Sequence, residues 1–335
     1  MTSRFFTITD SRFFVGTVAL LNSIRLSGHD GDLVVLDCGL TEPQRERLSA
    51  HAVIVEFPDE MAGDPYLVKP FPARIEFDGI VVLVDSDIVI TDTLDSVLTK
   101  AASGKICAFP DPPGDYWRWF AEWEHIFELT APLRRQPYMN AGFLAASTAH
   151  WPDLFQRWWN ACALIPSRRA SRPELRHIPG SQHPFSQLDQ DALNAILMSE
   201  VAPEKIEALP TYEWDLRRVV VEDYERLVCV SGRYGRRQPL LHAYWKPKVW
   251  QPDGWQRARD DAYVRLLPRL LFSEDVPLRL ATDSVPLWLR PGWFPKITVS
   301  ILGPVGDFYR PFARVATRAR RAPGRLKREV RRILA

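Results

Sequence analysis

The hydrophobic pattern of the first 110 residues switches repeatedly between short unbroken apolar runs and a three-to-four spacing. FFTIT (5–9) is apolar and β-branched and stops at Asp10, while Phe14, Val18, Leu21 and Ile24 then recur at helical spacing. LVVLD (33–37) and AVIVEF (52–57) predict two further strands. Between them a helix opens at Thr41-Glu42-Pro43-Gln44. Thr41 suits the N-cap, Gln44 the reciprocal capping position, and Pro43 the first turn, where its missing N–H leaves nothing unpaired. IVVLV (80–84) is apolar at every position, which predicts a strand buried on both faces near the centre of a parallel sheet. A helix near 94–102 and the run KICAF (105–109) continue the alternation. Order of this kind predicts an α/β domain with a largely parallel sheet.

The pattern loosens further on. Residues 115–127 carry Tyr116, Trp117, Trp119, Phe120, Trp123 and Phe127. On a helix Tyr116, Trp119 and Trp123 would share one face and Trp117 another, so the stretch reads either as a stacking platform for the flat face of a ligand or as core filling. Residues 166–186, rich in Pro, Ser, Arg and His, predict a long loop. A helix is predicted over 187–198 and a strand near 227–230. After about residue 250 the proline density rises and the α/β alternation ends. The chain therefore divides by pattern into 1–250, a Pro-rich extension over 251–309 and a basic tail over 310–335.

Composition narrows the class. At 335 residues, 46% hydrophobic and 25% charged, the chain is long enough for one large or two modest domains and is not a disordered polymer. No apolar run approaches the roughly 18–20 residues of a spanning helix. The start, MTSRFFTITD, lacks a basic segment followed by an apolar core and a small-residue cleavage site, so no secretory leader is expected. Cys38, Cys107, Cys162 and Cys229 stand far apart, with no CxxC pair, which suits reduced thiols in a cytoplasmic protein.

Charge adds a partner. Residues 310–335 hold ten Arg or Lys against one Glu, a net of +9, which leaves −7 for the other 309 residues of a chain whose total is +2. Leu326, Val330, Ile333 and Leu334 repeat at helical spacing among these bases. That is the pattern of a helix lying on an anionic membrane surface, on the cytoplasmic side, with a simple solvated tail as the alternative. Nucleic acid is not expected as a partner, since nothing interleaves aromatics with these bases.

The densest chemistry follows the all-apolar strand: Asp85-Ser86-Asp87. Ligands of open α/β sheets bind at the carboxyl ends of strands. Two carboxylates one residue apart can flank one divalent cation, and hard oxygens suit Mn²⁺ or Mg²⁺ in company with substrate phosphates. Asn140-Ala141-Gly142 offers an amide and a close backbone approach ahead of the run FLAA. Asp189-Gln190-Asp191 opens the predicted helix, where acids also suit the helix dipole. His242 precedes Trp245, Lys246, Lys248 and Trp250, an imidazole for a metal and lysines for phosphate.

In this order, Thr9-Asp10, Asp85-Ser86-Asp87, Asn140-Ala141-Gly142, Asp189-Gln190-Asp191 and His242…Lys248-Val249-Trp250, the chain over about residues 4–250 resembles the retaining glycosyltransferases of family 8. The resemblance implies a GT-A fold, a Rossmann-like mixed sheet, and transfer of a hexosyl group from a UDP-sugar to a saccharide or lipid-linked (glycolipid) acceptor with retention. It implies that Asp10 reads the uracil beside backbone at Ile8 and Thr9, and that Asp85, Asp87 and His242 bind Mn²⁺ or Mg²⁺, with Ser86 between the acids at the donor. Lys69 would reach the donor, with Arg74 a rival. Asn140, Ala141, Gly142, Asp189 and Gln190 would surround the transferred sugar, Gln190 facing the anomeric carbon. Lys248 would hold the diphosphate, with Lys246-Pro247 a rival. Trp245 stands where the family has Gly, Val249 where it has Pro, and Arg12 where a small amide is common. Two other readings remain open. A nucleotidyltransferase would need a Gly-rich phosphate loop after the first strand, where TITDSRFF has no glycine before Gly16. A non-catalytic sugar-nucleotide or membrane-binding protein would have lost its site.

Overall fold

The computed structural model describes residues 2–56, 65–111, 118–171, 183–210, 213–257 and 261–291. The basic tail, part of the Pro-rich extension, Tyr116 and Trp117 lie outside the described residues.

The five strands predicted over the first 110 residues join two later ones in one seven-stranded sheet, while the strand predicted near 227–230 lies in a separate hairpin. β1 (Ser3–Thr9), β2 (Leu33–Asp37), β3 (Val53–Glu56), β4 (Ile80–Val84), β6 (Ile106–Pro110), β7 (Met139–Ser147) and β8 (Ile206–Ala208) lie in the order β3-β2-β1-β4-β7-β6-β8. β4 is central, as its pattern predicts, but only its β1 side is parallel; β7 runs antiparallel to both β4 and β6. The sheet is thus mixed. β5 (Ile88–Ile90) leaves this sheet and pairs antiparallel with β11 (Leu240–His242), while β9 (Val219–Asp223) and β10 (Val228–Ser231) make a separate hairpin.

Both faces of the sheet are covered, which explains why β4 is apolar throughout. Ile80, Val82 and Val84 join Phe5, Val35 and α1 (Phe14–Leu26) in one core. Val81 and Leu83 join Phe6, Leu36, α5 (Leu154–Ser171) and α6 (Asp189–Glu200) in the other. Each such side chain removed from water contributes about 1.5–3 kcal/mol. α2 (Glu42–Ser49) starts with the reciprocal Thr41–Gln44 capping box, and α3 (Asp95–Ala102) lies between β5 and β6.

Three stretches differ from their pattern. The predicted loop from 166 is helical through Ser171, as the end of α5, so local composition loses there to a helix already propagating from a buried face. Among the described residues of the aromatic stretch, α4 covers only Trp123–Ile126, and residues 118–122, Trp119 among them, are not helical. Trp123 and Phe127 are core, with Trp123 Nε1 donating to the Pro184 carbonyl at 2.9 Å, so these two are closed to a sugar. Beyond residue 250, α7 (Ala262–Phe272) carries an internal Pro268 that obscured its helical spacing, and it packs against α1. Asn22 of α1 secures that contact by donating to the Leu270 and Leu278 carbonyls at 2.6 and 2.8 Å.

Candidate active site

A cleft of about 530 Å³ opens at the carboxyl ends of β1 and β4. Ile8, Thr9, Asp10, Lys69, Asp85, Ser86, Asp87, Asn140, Gly142, Asp189, Gln190, His242 and Lys248 all line it. Ala141 is buried behind this wall, its N–H donating to Gln190 Oε1 at 2.9 Å.

Backbone bonds explain the convergence. The Asp85 N–H donates to the Gly142 carbonyl at 2.8 Å, extending the β4–β7 ladder by one residue. The Ala243 N–H donates to the Asp87 carbonyl at 2.9 Å, extending the β5–β11 ladder. The acidic turn is therefore pinned on one side by the strand that carries Asn140-Ala141-Gly142 and on the other by the strand that ends in His242. One ligand atom from each of Asp85, Asp87 and His242 lies within 4.8 Å of the others. His242 Nε2 stands 3.3 Å from Asp87 Oδ1 and 3.9 Å from Asp85 Oδ2. Gly142 leaves room at this place: a Cβ would come within 2.9 Å of both Asp85 Oδ2 and His242 Cε1, so one of them would have to shift. Gly16 similarly lets α1 approach, since a Cβ there would collide with the Ser86 carbonyl and the Trp250 ring.

Two lysines balance the acids. Lys248 is buried and donates to Asp87 Oδ2 and to the Ala243 carbonyl. Burial opposes charge on Asp87, but His242 and Lys248 outweigh it and hold the carboxyl well below its usual range. Lys69 Nζ bridges Asp85 Oδ1 at 2.8 Å and Asp189 Oδ2 at 3.3 Å. Burial works against the Lys69 charge, yet Asp189 and Asp85 hold its pKa above the ordinary value. Asp189 receives the longer of the two contacts and is pushed up to about 6, by burial first, against the pull of Lys69 and with Asp85 adding repulsion. Arg74, the rival to Lys69, stacks instead over the Trp159 ring at 4.9 Å and does not line the cleft. Lys246 does line it, donating to Tyr66 Oη at 2.7 Å.

The sugar side is cross-braced. Asn140 Nδ2 donates to Asp111 Oδ1 at 2.7 Å, and Asn140 Oδ1 accepts from the Gly142 N–H at 2.8 Å. Leu188, at φ 47°, turns the chain into α6, whose first residues Asp189 and Gln190 reach the cleft. Asp191 does not line it and is fully buried, accepting from Arg118 Nη2 at 2.9 Å, Tyr138 Oη at 2.8 Å and the Gln187 N–H at 2.8 Å.

Sequence reasoning missed Phe13, Cys38, Tyr66, Ser186, Gln187, Leu188 and Tyr244, all of which line the cleft. It also missed Asp111 and the Arg118–Asp191 pair. Most of these stand on connecting segments without periodicity; only Asp191, an acid inside a helical apolar pattern, carried a readable signal of a buried partner.

A mixed sheet in this order, with acids at the carboxyl edge of its central strand, defines a GT-A fold. No family model and no curated protein sequence matches the chain. Among solved structures it is similar to the apo form of WbbM, a bifunctional glycosyltransferase, with TM-score 0.51 and 16% identity over 82% of this chain and 50% of that one. It is also similar to the galactosyltransferase LgtC, solved with donor and acceptor sugar analogs, with TM-score 0.50 and 14% identity over 81% of this chain and 98% of that one. The chain thus spans half the length of the first and nearly all of the second, and the likeness is one of fold. Among the described residues, no helix is long and apolar enough to cross a membrane.

Proposed function

We propose that the protein is a metal-dependent retaining glycosyltransferase that moves a hexosyl group from a UDP-sugar to a saccharide or lipid-linked acceptor. The observation that carries this reading is the meeting of Asp85, Asp87 and His242 at the carboxyl edge of the sheet, in the same cleft as Asp10. Two carboxylates and one imidazole fit Mn²⁺ better than Mg²⁺, because nitrogen ligands favour transition metals, and the lack of a Cβ at Gly142 keeps the space beside them open. A cation bound there would supply Lewis-acid charge to the diphosphate leaving group.

The chain's own groups supply the rest. Lys248 and Lys246 add point charges for the diphosphate. Ile8, Thr9 and Asp10 form the nucleobase wall. Asn140, Asp189 and Gln190 surround the sugar and orient it against the acceptor hydroxyl. Asp189 is tied to Lys69 at 3.3 Å, an ion pair that engages the carboxylate and holds it back from attack on the sugar. That favours attack on the same face as departure, with the leaving phosphate taking the acceptor proton, and catalysis by preorganised charge. The basic tail would hold the enzyme near an envelope or lipid-linked acceptor.

Asp87→Ala tests the reading. Mn²⁺-dependent release of UDP from UDP-sugars should fall by about 100-fold or more, in line with the loss of a principal electrostatic contact. Unchanged turnover would remove the proposed metal site, and release of sugar 1-phosphate in place of UDP, with the uridylyl group passed on, would indicate nucleotidyl transfer.

A further inference from the structure

Asp10 stands where β1 gives way to α1, on the cleft wall formed with Ile8, Thr9, Phe13 and Cys38. Its side chain is 15% exposed. An ionised carboxylate offers about four lone-pair sites and no donor. At Asp10 all four are taken by the chain itself. Oδ1 accepts the backbone N–H groups of Arg12 and Phe13, at 2.8 and 3.1 Å. Oδ2 accepts Arg12 Nε and Nη2, at 2.9 and 2.6 Å.

The two halves of this arrangement differ in kind. The bonds to Oδ1 come from backbone entering α1, and the Arg12 carbonyl is held in turn by Trp250 Nε1 at 2.9 Å. The bonds to Oδ2 come from a side chain that is 73% exposed and itself lines the cleft. With Arg12 seated, this wall presents the outer N–H groups of a guanidinium to a ligand and not a carboxylate oxygen.

That reverses what the wall can read. Uracil places an N–H at ring position 3, which needs an acceptor. Cytosine places a lone pair there, which needs a donor. A bare Asp10 would favour the first and repel the second. The Asp10–Arg12 pair offers donors to N3 and O2 of cytosine as well as to the O2 or O4 carbonyl of uracil.

Resting on the proposed reading of the cleft as a nucleoside-diphosphate site, we infer that Arg12 sets the base selectivity of this protein. By occupying Asp10 Oδ2 it relaxes the preference for uracil over cytosine. Arg12 is a specificity residue here, and an exposed pair of this kind contributes little to the fold, so its replacement reads recognition.

The test is calorimetric titration of UDP and CDP, each with Mn²⁺, into the full chain and its Arg12→Ala and Arg12→Lys forms. Removing the guanidinium should raise the UDP:CDP affinity ratio by about tenfold or more, the scale of one charge-assisted hydrogen bond gained and one repulsion exposed. Arg12→Lys, with a charge but no fork, should fall between. UDP with a methyl on the base nitrogen at position 3 should bind the Arg12→Ala form much more weakly than UDP, and the unsubstituted chain nearly as well as UDP. Equal ratios in all three forms, with UDP still bound, would overturn the inference and leave the glycosyltransferase reading standing. Failure of the unsubstituted chain to bind either nucleotide would overturn both.

Discussion

At single residues, the cleft depends on side chains that are absent as much as on those present. Gly142 sits where a methyl group would press on Asp85 and His242 of the proposed metal cluster and on Asn140 Oδ1. Overpacking of this sort costs about 1–3 kcal/mol and is relieved by whichever neighbour can move. Here the movable neighbours include the proposed ligands, so Gly142→Ala should lower Mn²⁺ affinity by about tenfold or more while the melting temperature changes by only a few degrees. Titration of Mn²⁺ alongside a thermal melt checks this, and undiminished binding would show that the methyl is accommodated without touching the cluster. The motif residues were legible because each has chemistry of its own. Arg12 was legible only as a departure; its seat on Asp10 required the turn that folds it back.

Elements decide how those residues are held. α6 brings Asp189 and Gln190 to the cleft with its first turn, and its far end is tied down by Glu200. Arg157 Nε of α5 donates to Glu200 Oε2 at 3.0 Å, and the Thr130 N–H donates to Oε1 at 3.3 Å. Burial alone would raise the Glu200 carboxyl, but the Arg157 contact outweighs it and the pKa lies below the ordinary value. A carboxyl lowered in the folded state stabilises above the unfolded pKa and loses that contribution as pH falls through the folded one. Glu200→Gln should therefore lower the melting temperature by about 2 °C near neutrality, a figure discounted for partial exposure. The gap to the unsubstituted chain should close as pH falls toward about 3. Calorimetric melts across that range decide it; a gap independent of pH would assign the effect to packing. The strands of the first 110 residues that join the central sheet, and α1, α2, α3 and α6, could be read from the pattern, because unbroken apolar runs and a three-to-four repeat follow directly from which faces are buried. α5 and α7 could not, since a Pro/Ser/Arg-rich end in the one and Pro268 in the other mask helices whose stability comes from tertiary packing.

Across its full length, the protein joins a cleft to a charged tail. Its two cores cover both faces of the mixed sheet, and the cleft lies at the carboxyl edge between them. Ten bases over residues 310–335 would each add about 1 kcal/mol near an anionic lipid surface. Deleting 310–335 should move the protein from the membrane fraction to the supernatant, and high salt should release the intact chain in the same way. An unchanged fractionation would separate the tail from membrane attachment.

Local information was enough for the strand-and-helix alternation, the acids that follow the central strand and the order of the motifs, because burial and side-chain chemistry are properties of each segment. The convergence of those motifs came only with folding. Pairing of β5 with β11 is what brings His242 to Asp87, the antiparallel entry of β7 is what places Gly142 beside Asp85, and the folded cleft is what shows Lys69, not Arg74, between Asp85 and Asp189. The physical reason is that these contacts join residues distant along the chain, and no periodicity within a segment encodes which distant backbone its edge will meet.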